Sequence, residues 1–201
     1  MTTKTKDRSL VRFSVAIVLG LWEELRALRQ DAPPGEPDRR WREALLQAHL
    51  FAGFPRVVEA SEVLAQVGGL GEPEADEVRP AGDRFAEGRA LFDRIYAESA
   101  NEVMASLESY HPVLARWIEG HAYGRVLARG GLAPKTREIL AVACLAAQGQ
   151  ERQLASHMRG ALRLGATEEE IRDAFASVAD LLDADKLQRA ERVVDKFTRG
   201  V

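Results

Sequence analysis

The chain has 201 residues, of which 46% are hydrophobic and 29% charged, with 28 basic and 31 acidic side chains and a formal net charge of −3. This is the make-up of one globular domain, or two small ones, able to bury a core. Basic and acidic residues are mixed rather than clustered, which excludes a nucleic-acid partner on charge grounds, and the single cysteine, Cys144, excludes an intramolecular disulfide.

Lys4, Lys6 and Arg8 precede the apolar run from Ser14 to Leu21 much as in a secretory leader, but Trp22-Glu23-Glu24-Leu25-Arg26 continues an amphipathic helix. The run is too short and too soon charged to be a leader or a span, so a cytoplasmic address without a membrane partner is expected. Leu10, Phe13, Ile17, Leu21, Leu25 and Leu28 give the first helix one apolar face, and the proline-rich stretch from Asp31 to Pro37 ends it. Trp41, Ala44, Leu45 and Ala48 mark a second helix, and Pro55 opens a third that reaches about Val67. Residues 68–83, beginning Gly-Gly-Leu-Gly-Glu-Pro, are the best linker candidate. Further helices are predicted at 84–109, 112–129, 134–148, 150–164, 168–182 and 186–199. Thr167 and Glu170 have the spacing of a capping box, and Ile171, Ala174, Phe175, Val178, Leu181 and Leu182 give the helix they start a continuous apolar stripe. Nothing alternates with the period of a strand. The reading is all-α.

Two stretches resemble one another. Setting Gly20 on Gly149 puts Arg8 on Arg137 and Leu25 on Leu154, and one residue later in phase Trp41-Arg42-Glu43-Ala44 falls on Ile171-Arg172-Asp173-Ala174. The chain thus reads as a partial copy over 1–67, a linker over 68–83 and a fuller unit over 84–201.

Residues at i, i+3 and i+7 share a helix face, so Gln150, Gln153 and His157 form one polar stripe. Glu138 lies eleven residues before Gly149 and His157 eight after it, so across a helical hairpin their heights differ by roughly 5 Å and the two can meet. A carboxylate beside an imidazole orients its tautomer and raises its basicity, as a proton shuttle needs; a buried polar pair locking two helices together is the equal alternative. In the first copy Ser9, Glu24 and Leu28 occupy the positions of Glu138, Gln153 and His157, which leaves one site per chain. His49, His111 and His121 lack partners at metal-ligand spacing and read as structural, and no metal site is expected. Cys144, in the apolar run from Ile139 to Leu145, reads as a buried inert thiol.

The pattern Glu138-x11-Gln150-x2-Gln153-x3-His157 resembles the Glu-x11-Cys-x2-Cys-x3-His signature of the alkylhydroperoxidase D and carboxymuconolactone decarboxylase superfamily, with glutamine at both cysteine positions. His111 to Leu132, Pro134-Lys135-Thr136-Arg137-Glu138 and His157 to Thr167 follow in the family's order. The resemblance implies an alkylhydroperoxidase D-like helical fold with a degenerate N-terminal repeat. Glutamine cannot exchange with a disulfide, so the thiol chemistry of the family's redox branch is excluded at Gln150 and Gln153, and a peroxidase-related antioxidant role ranks last. The decarboxylase branch, which commonly carries glutamate where Gln153 stands, implies a cofactor-free lyase or hydrolase acting on a small carboxylated or lactone substrate. In that reading His157 is the general acid/base, Glu138 orients it, and Gln150, Gln153 and Arg159 hold substrate oxygens. Arg129 and Arg137 are further carboxylate partners by charge, or solvated surface arginines. The alternative is a non-catalytic assembly or ligand-binding module on the same scaffold. The resemblance also implies a homo-oligomer, trimeric or else dimeric, and apolar residues on more than one face around Trp41 to Phe54 and Ala174 to Leu182 point the same way.

Overall fold

The computed structural model describes residues 7–33, 35–78 and 82–198; Lys4, Lys6, Pro34, residues 79–81 and Arg199 lie outside the described residues. Among the described residues there are helices and turns but no strand, as the apolar period requires.

The first predicted helix is two. α1 (Arg8–Leu19) stops at Gly20, whose φ of 71° is open to glycine at little cost, and α2 (Trp22–Gln30) starts just beyond. The N–H groups of Gly20 and Leu21 reach back to the carbonyls of Ile17 and Ala16, satisfying the orphan end of α1. α3 (Asp38–Ala65) holds the expected second and third helices, divided at Gly53 (φ 76°, ψ 164°) just ahead of Pro55. The segment after it is fastened to α3 rather than free: Arg42 binds both carboxylate oxygens of Glu77 at 2.9 and 2.6 Å, and Arg39 reaches Glu74 and Asp76.

α4 (Arg84–Tyr96) is capped by Asp83, which accepts from the N–H groups of Phe85 and Ala86. The helix predicted over 84–109 breaks at Ala97, whose φ is 50°, and restarts as α5 (Ala100–Tyr110). α6 (Pro112–Trp117) begins where the His111 side chain accepts from the N–H of Val113, then widens into a π-helix over Ile118–Leu127. The π-helix and α4 touch backbone to backbone: a Cβ on Gly124 would lie 1.8 Å from the carbonyl oxygen of Arg84. α7 (Pro134–Gln148) ends at Gly149 (φ 70°) with the same two-bond cap as α1, followed by α8 (Glu151–Arg163). α9 (Glu168–Ala176) starts with both halves of the Thr167–Glu170 capping box but ends short of the predicted residue 182, in turns, and α10 (Ala184–Thr198) closes the described chain.

α7 is the axis of the main core, buried from Thr136 to Ala147 and surrounded by α1, α3, α8, α9 and α10. A smaller core built from Phe92, Ile95, Tyr123 and Leu127 joins α4, α5 and the α6–π segment. Ion pairs link the two ends of the chain reciprocally. Arg137 of α7 binds Glu43 of α3 at 2.7 Å, and Arg8 of α1 binds Asp173 of α9 at 3.2 Å.

Two sequence readings change here. Arg137 is neither a surface arginine nor a ligand contact: it is 1% exposed, and its guanidinium is held by Glu43 and by the carbonyls of Arg129 and Gly130. Arg129 shares the Glu43 carboxylate from the other side. Residues 174–182 carry less spare apolar surface than expected, because Ala174, Phe175 and Val178 are buried against the chain's own core and Leu181 and Leu182 are partly buried against it. Exposed large apolar side chains among the described residues include Leu46 and Phe54, within residues 41–54, and Val58, Val78, Tyr110, Val113, Leu114 and Trp117, outside both stretches.

Candidate functional site

A cavity of about 780 Å3 lies between α8 and the smaller core. Gln150, Gln153, His157 and Arg159, all singled out from the sequence, line it together. Gln150 is the N-cap residue of α8, and the helical period carries Gln153 and His157 along the same face. Glu138 does not line the cavity. It stands one layer behind, on α7, with 1% exposure, and accepts a hydrogen bond from Nδ1 of His157 at 2.9 Å.

This pair is positioned closely. A Cβ on Gly160 would lie 2.8 Å from Oε2 of Glu138 and 2.9 Å from Ile95, so only glycine lets α8 come near enough to α7 for the carboxylate to reach the ring. Phe51 meets the His157 ring edge to face at 6.2 Å, and the Gln148 side chain holds the Phe51 carbonyl at 2.7 Å. Burial pushes the His157 imidazole down, but the charge of Glu138 and its hydrogen bond outweigh that and hold the pKa above the ordinary histidine value. With Nδ1 committed to the carboxylate, Nε2 is the nitrogen left for the cavity.

The rest of the lining was not legible in the sequence. Tyr123, from the π-helix, donates its hydroxyl to that of Tyr96 on α4 at 3.0 Å. Burial first, then the neighbouring Tyr96 and Glu138, push its pKa well above the ordinary phenol, so it stays a neutral donor. His121 and His49 are not the isolated structural residues the sequence suggested: their Nε2 atoms meet at 2.7 Å, and His121 lines the cavity. Nδ1 of His49 faces the carbonyl of Leu46, which can only accept, so His49 donates there and meets His121 through its other ring nitrogen. Burial first, then the positive charges of His49, Arg125 and Arg84, lower the His121 pKa. These two rings are 72 residues apart in sequence, and no local spacing announces them. Among the described residues no three His, Cys, Asp or Glu side chains gather as metal ligands.

Cys144 is 1% exposed on α7, and burial pushes its thiol up to about 12. A thiol held protonated is neither a nucleophile nor a redox centre. The stripe thus offers a proton-transfer group, hydrogen-bonding amides and cations.

The chain is 30% identical over 138 residues to Peroxisomal protein 2 of Schizosaccharomyces pombe, spanning 66% of this chain and 64% of that one. It is 28% identical over 91 residues to 4-carboxymuconolactone decarboxylase of Acinetobacter baylyi, spanning 45% of this chain and 68% of that one. No helix among the described residues is long and apolar enough to cross a membrane. The profile of the carboxymuconolactone decarboxylase family matches residues 112–196, which include α7, α8 and the Glu138–His157 pair, and over this segment the chain is similar to that family.

Proposed function

We propose that the protein is a cofactor-free lyase or hydrolase acting on a small carboxylated or lactone substrate, with His157 as general acid/base. The observation that carries this is the hydrogen bond from His157 to the buried Glu138, which fixes the ring with Nε2 toward the cavity and raises its basicity. Gln150 and Gln153 hold substrate oxygens without taking part in proton transfer, and Arg159 supplies a counter-charge at the rim. Support over a non-catalytic module comes from the ring's surroundings: its side chain keeps 13% exposure into a roomy cavity, and its bonded nitrogen is held by a carboxylate instead of a backbone carbonyl. Purified protein is assayed against a panel of lactones and hydroxymuconate-type acids; His157→Ala and Glu138→Gln each abolish the turnover found. Unaltered turnover in both variants rejects the assignment.

Residues 1–67 are read as a degenerate copy of the unit over 84–201, joined by 68–83. The shared caps at Gly20 and Gly149 support this, as do the ion pairs Arg137–Glu43 and Arg8–Asp173, which exchange roles under the same alignment. A homo-oligomer, a trimer before a dimer, is supported by the groove that Phe54, Val113 and Trp117 line, with Phe54 65% and Trp117 66% exposed. Light scattering at micromolar concentration that gives a 22.2 kDa monomer refutes it. A fluorescent fusion imaged in cells tests the expected cytoplasmic address against the peroxisome named for the S. pombe relative.

A further inference from the structure

The cavity has two unlike sides. α8 and its N-cap residue supply a polar wall, in which Gln150, Gln153 and His157 form one stripe and Arg152, Ser156 and Arg159 the next. The opposite wall is a face of the smaller core, formed mainly by Phe92 of α4, Val103 and Leu107 of α5, and Ile118, Ala122 and Leu127 of the π-helix, with the hydroxyls of Tyr96 and Tyr123 and the His121 ring set among them. Arg152, Gln153 and Arg159 are exposed, as are Tyr110 and Trp117, whereas Phe92, Tyr123 and Leu127 are buried, so the charged side chains lie at the rim and the depth is mainly aromatic and aliphatic.

The charge is as uneven as the polarity. Among the described residues no aspartate or glutamate lines the cavity, while two arginines and two histidines do. Glu138 behind the wall is balanced by His157, which leaves the arginines as the surplus. The hydrogen bond from Ser106 first, then Arg152 beside the hydroxyl, hold the Tyr110 phenol below its ordinary pKa. Arg159 lies over the Phe197 ring at 5.5 Å. Neither arginine is in an ion pair among the described residues, in contrast to Arg163 and Arg189 nearby, which are.

We propose that the ligand of this cavity is an amphipathic monocarboxylate: a carboxylate held at the rim by Arg152 and Arg159, and an extended apolar body lying against α4, α5 and the π-helix. A volume of about 780 Å3 falls within the range that encloses a drug-sized molecule, far more room than a small lactone acid fills. A short dianion would leave the apolar depth wet and set its second charge against a wall with no cation. A neutral lipid would leave two rim guanidiniums without the planar anion they match. The inference rests on the acid–base reading of the same cavity and narrows its substrate from any small carboxylated or lactone molecule to a monocarboxylate with an extended apolar body. Binding itself does not require that His157 turn anything over.

The test is calorimetric titration of the intact chain with four probes: decanoate, butanoate, cis,cis-muconate and 1-decanol. Decanoate binds saturably at one site per chain, at least tenfold more tightly than each of the others. The double variant Arg152→Gln/Arg159→Gln loses the preference for decanoate over 1-decanol. Leu107→Trp, which fills the apolar side, weakens decanoate and leaves butanoate unchanged. Equal binding of decanoate and 1-decanol, tighter binding of muconate, or decanoate affinity unmoved in both variants overturns the proposal. His157→Ala separates the two readings, because it retains decanoate binding whether or not it retains turnover. Lost turnover with no decanoate site sinks this inference alone, and intact turnover with decanoate bound sinks the catalytic assignment alone.

Discussion

Replacing Glu138 with glutamine should move the His157 pKa from one side of the ordinary histidine value to the other. The substitution keeps the side-chain volume, and the amide oxygen still accepts the N–H from Nδ1, so the ring keeps its orientation while the charge goes. In the native chain burial lowers the pKa and Glu138 raises it further than burial lowers it. With the charge gone burial prevails, and the imidazole titrates below about 6.5, the value of an unfolded histidine. The stability consequence follows by linkage. In the native protein the folded-state pKa exceeds the unfolded one, so the stabilisation is complete below about 6.5 and is lost as pH rises through the folded-state value. In the variant the order reverses, and stability grows with pH until about 6.5. The stability difference between the two proteins therefore shrinks as pH rises from about 5 to 8, by up to about 1.4 kcal/mol per pH unit where one proton separates the states. Urea denaturation at several pH values measures that slope, and NMR of the imidazole ring reads the pKa directly. A variant ring that still titrates above the ordinary value, or a stability difference flat with pH, refutes the reasoning.

Gly160→Ala should destabilise the fold by about 1–3 kcal/mol despite its better helix propensity, and should also lower the His157 pKa, because the added Cβ would displace Glu138. An unchanged urea midpoint with an unchanged ring titration would contradict this. Glu43→Gln strips the shared anion from Arg137 and Arg129 and should cost about 3–5 kcal/mol, since Arg137 is left charged in a dry site; thermal or chemical denaturation reads it, and a loss under 1 kcal/mol means that water enters there. The Cys144 thiol, pushed up to about 12, should react with a disulfide reagent such as DTNB only on the timescale of unfolding, and the protein should show no peroxidase or disulfide-reductase turnover with thioredoxin-like partners. Peroxide reduction that survives Cys144→Ser would break the argument.

What the sequence determined by itself is what depends on neighbours a few residues apart. The Thr167–Glu170 cap, the helical period of α7 and α8, the glycine between them, and the shared face of Gln150, Gln153 and His157 all follow from spacings within two turns of helix. The Glu138–His157 contact was legible for the same reason, since a single tight turn fixes the register of the hairpin that joins them. The break at Ala97, by contrast, puts a non-glycine residue at positive φ, which no propensity announces and which the packing of α4 and α5 must impose. The burial of Arg137 depends on Glu43, 94 residues away, and the His49–His121 and Tyr96–Tyr123 contacts likewise join helices distant in sequence. Periodicity can state that a helix has an apolar face but not which helix will cover it. The depth of the cavity is decided at that second step, where Phe92, Leu107 and Leu127 could equally have served as ordinary core and only the docking of α4, α5 and the π-helix across from α8 leaves a space between them.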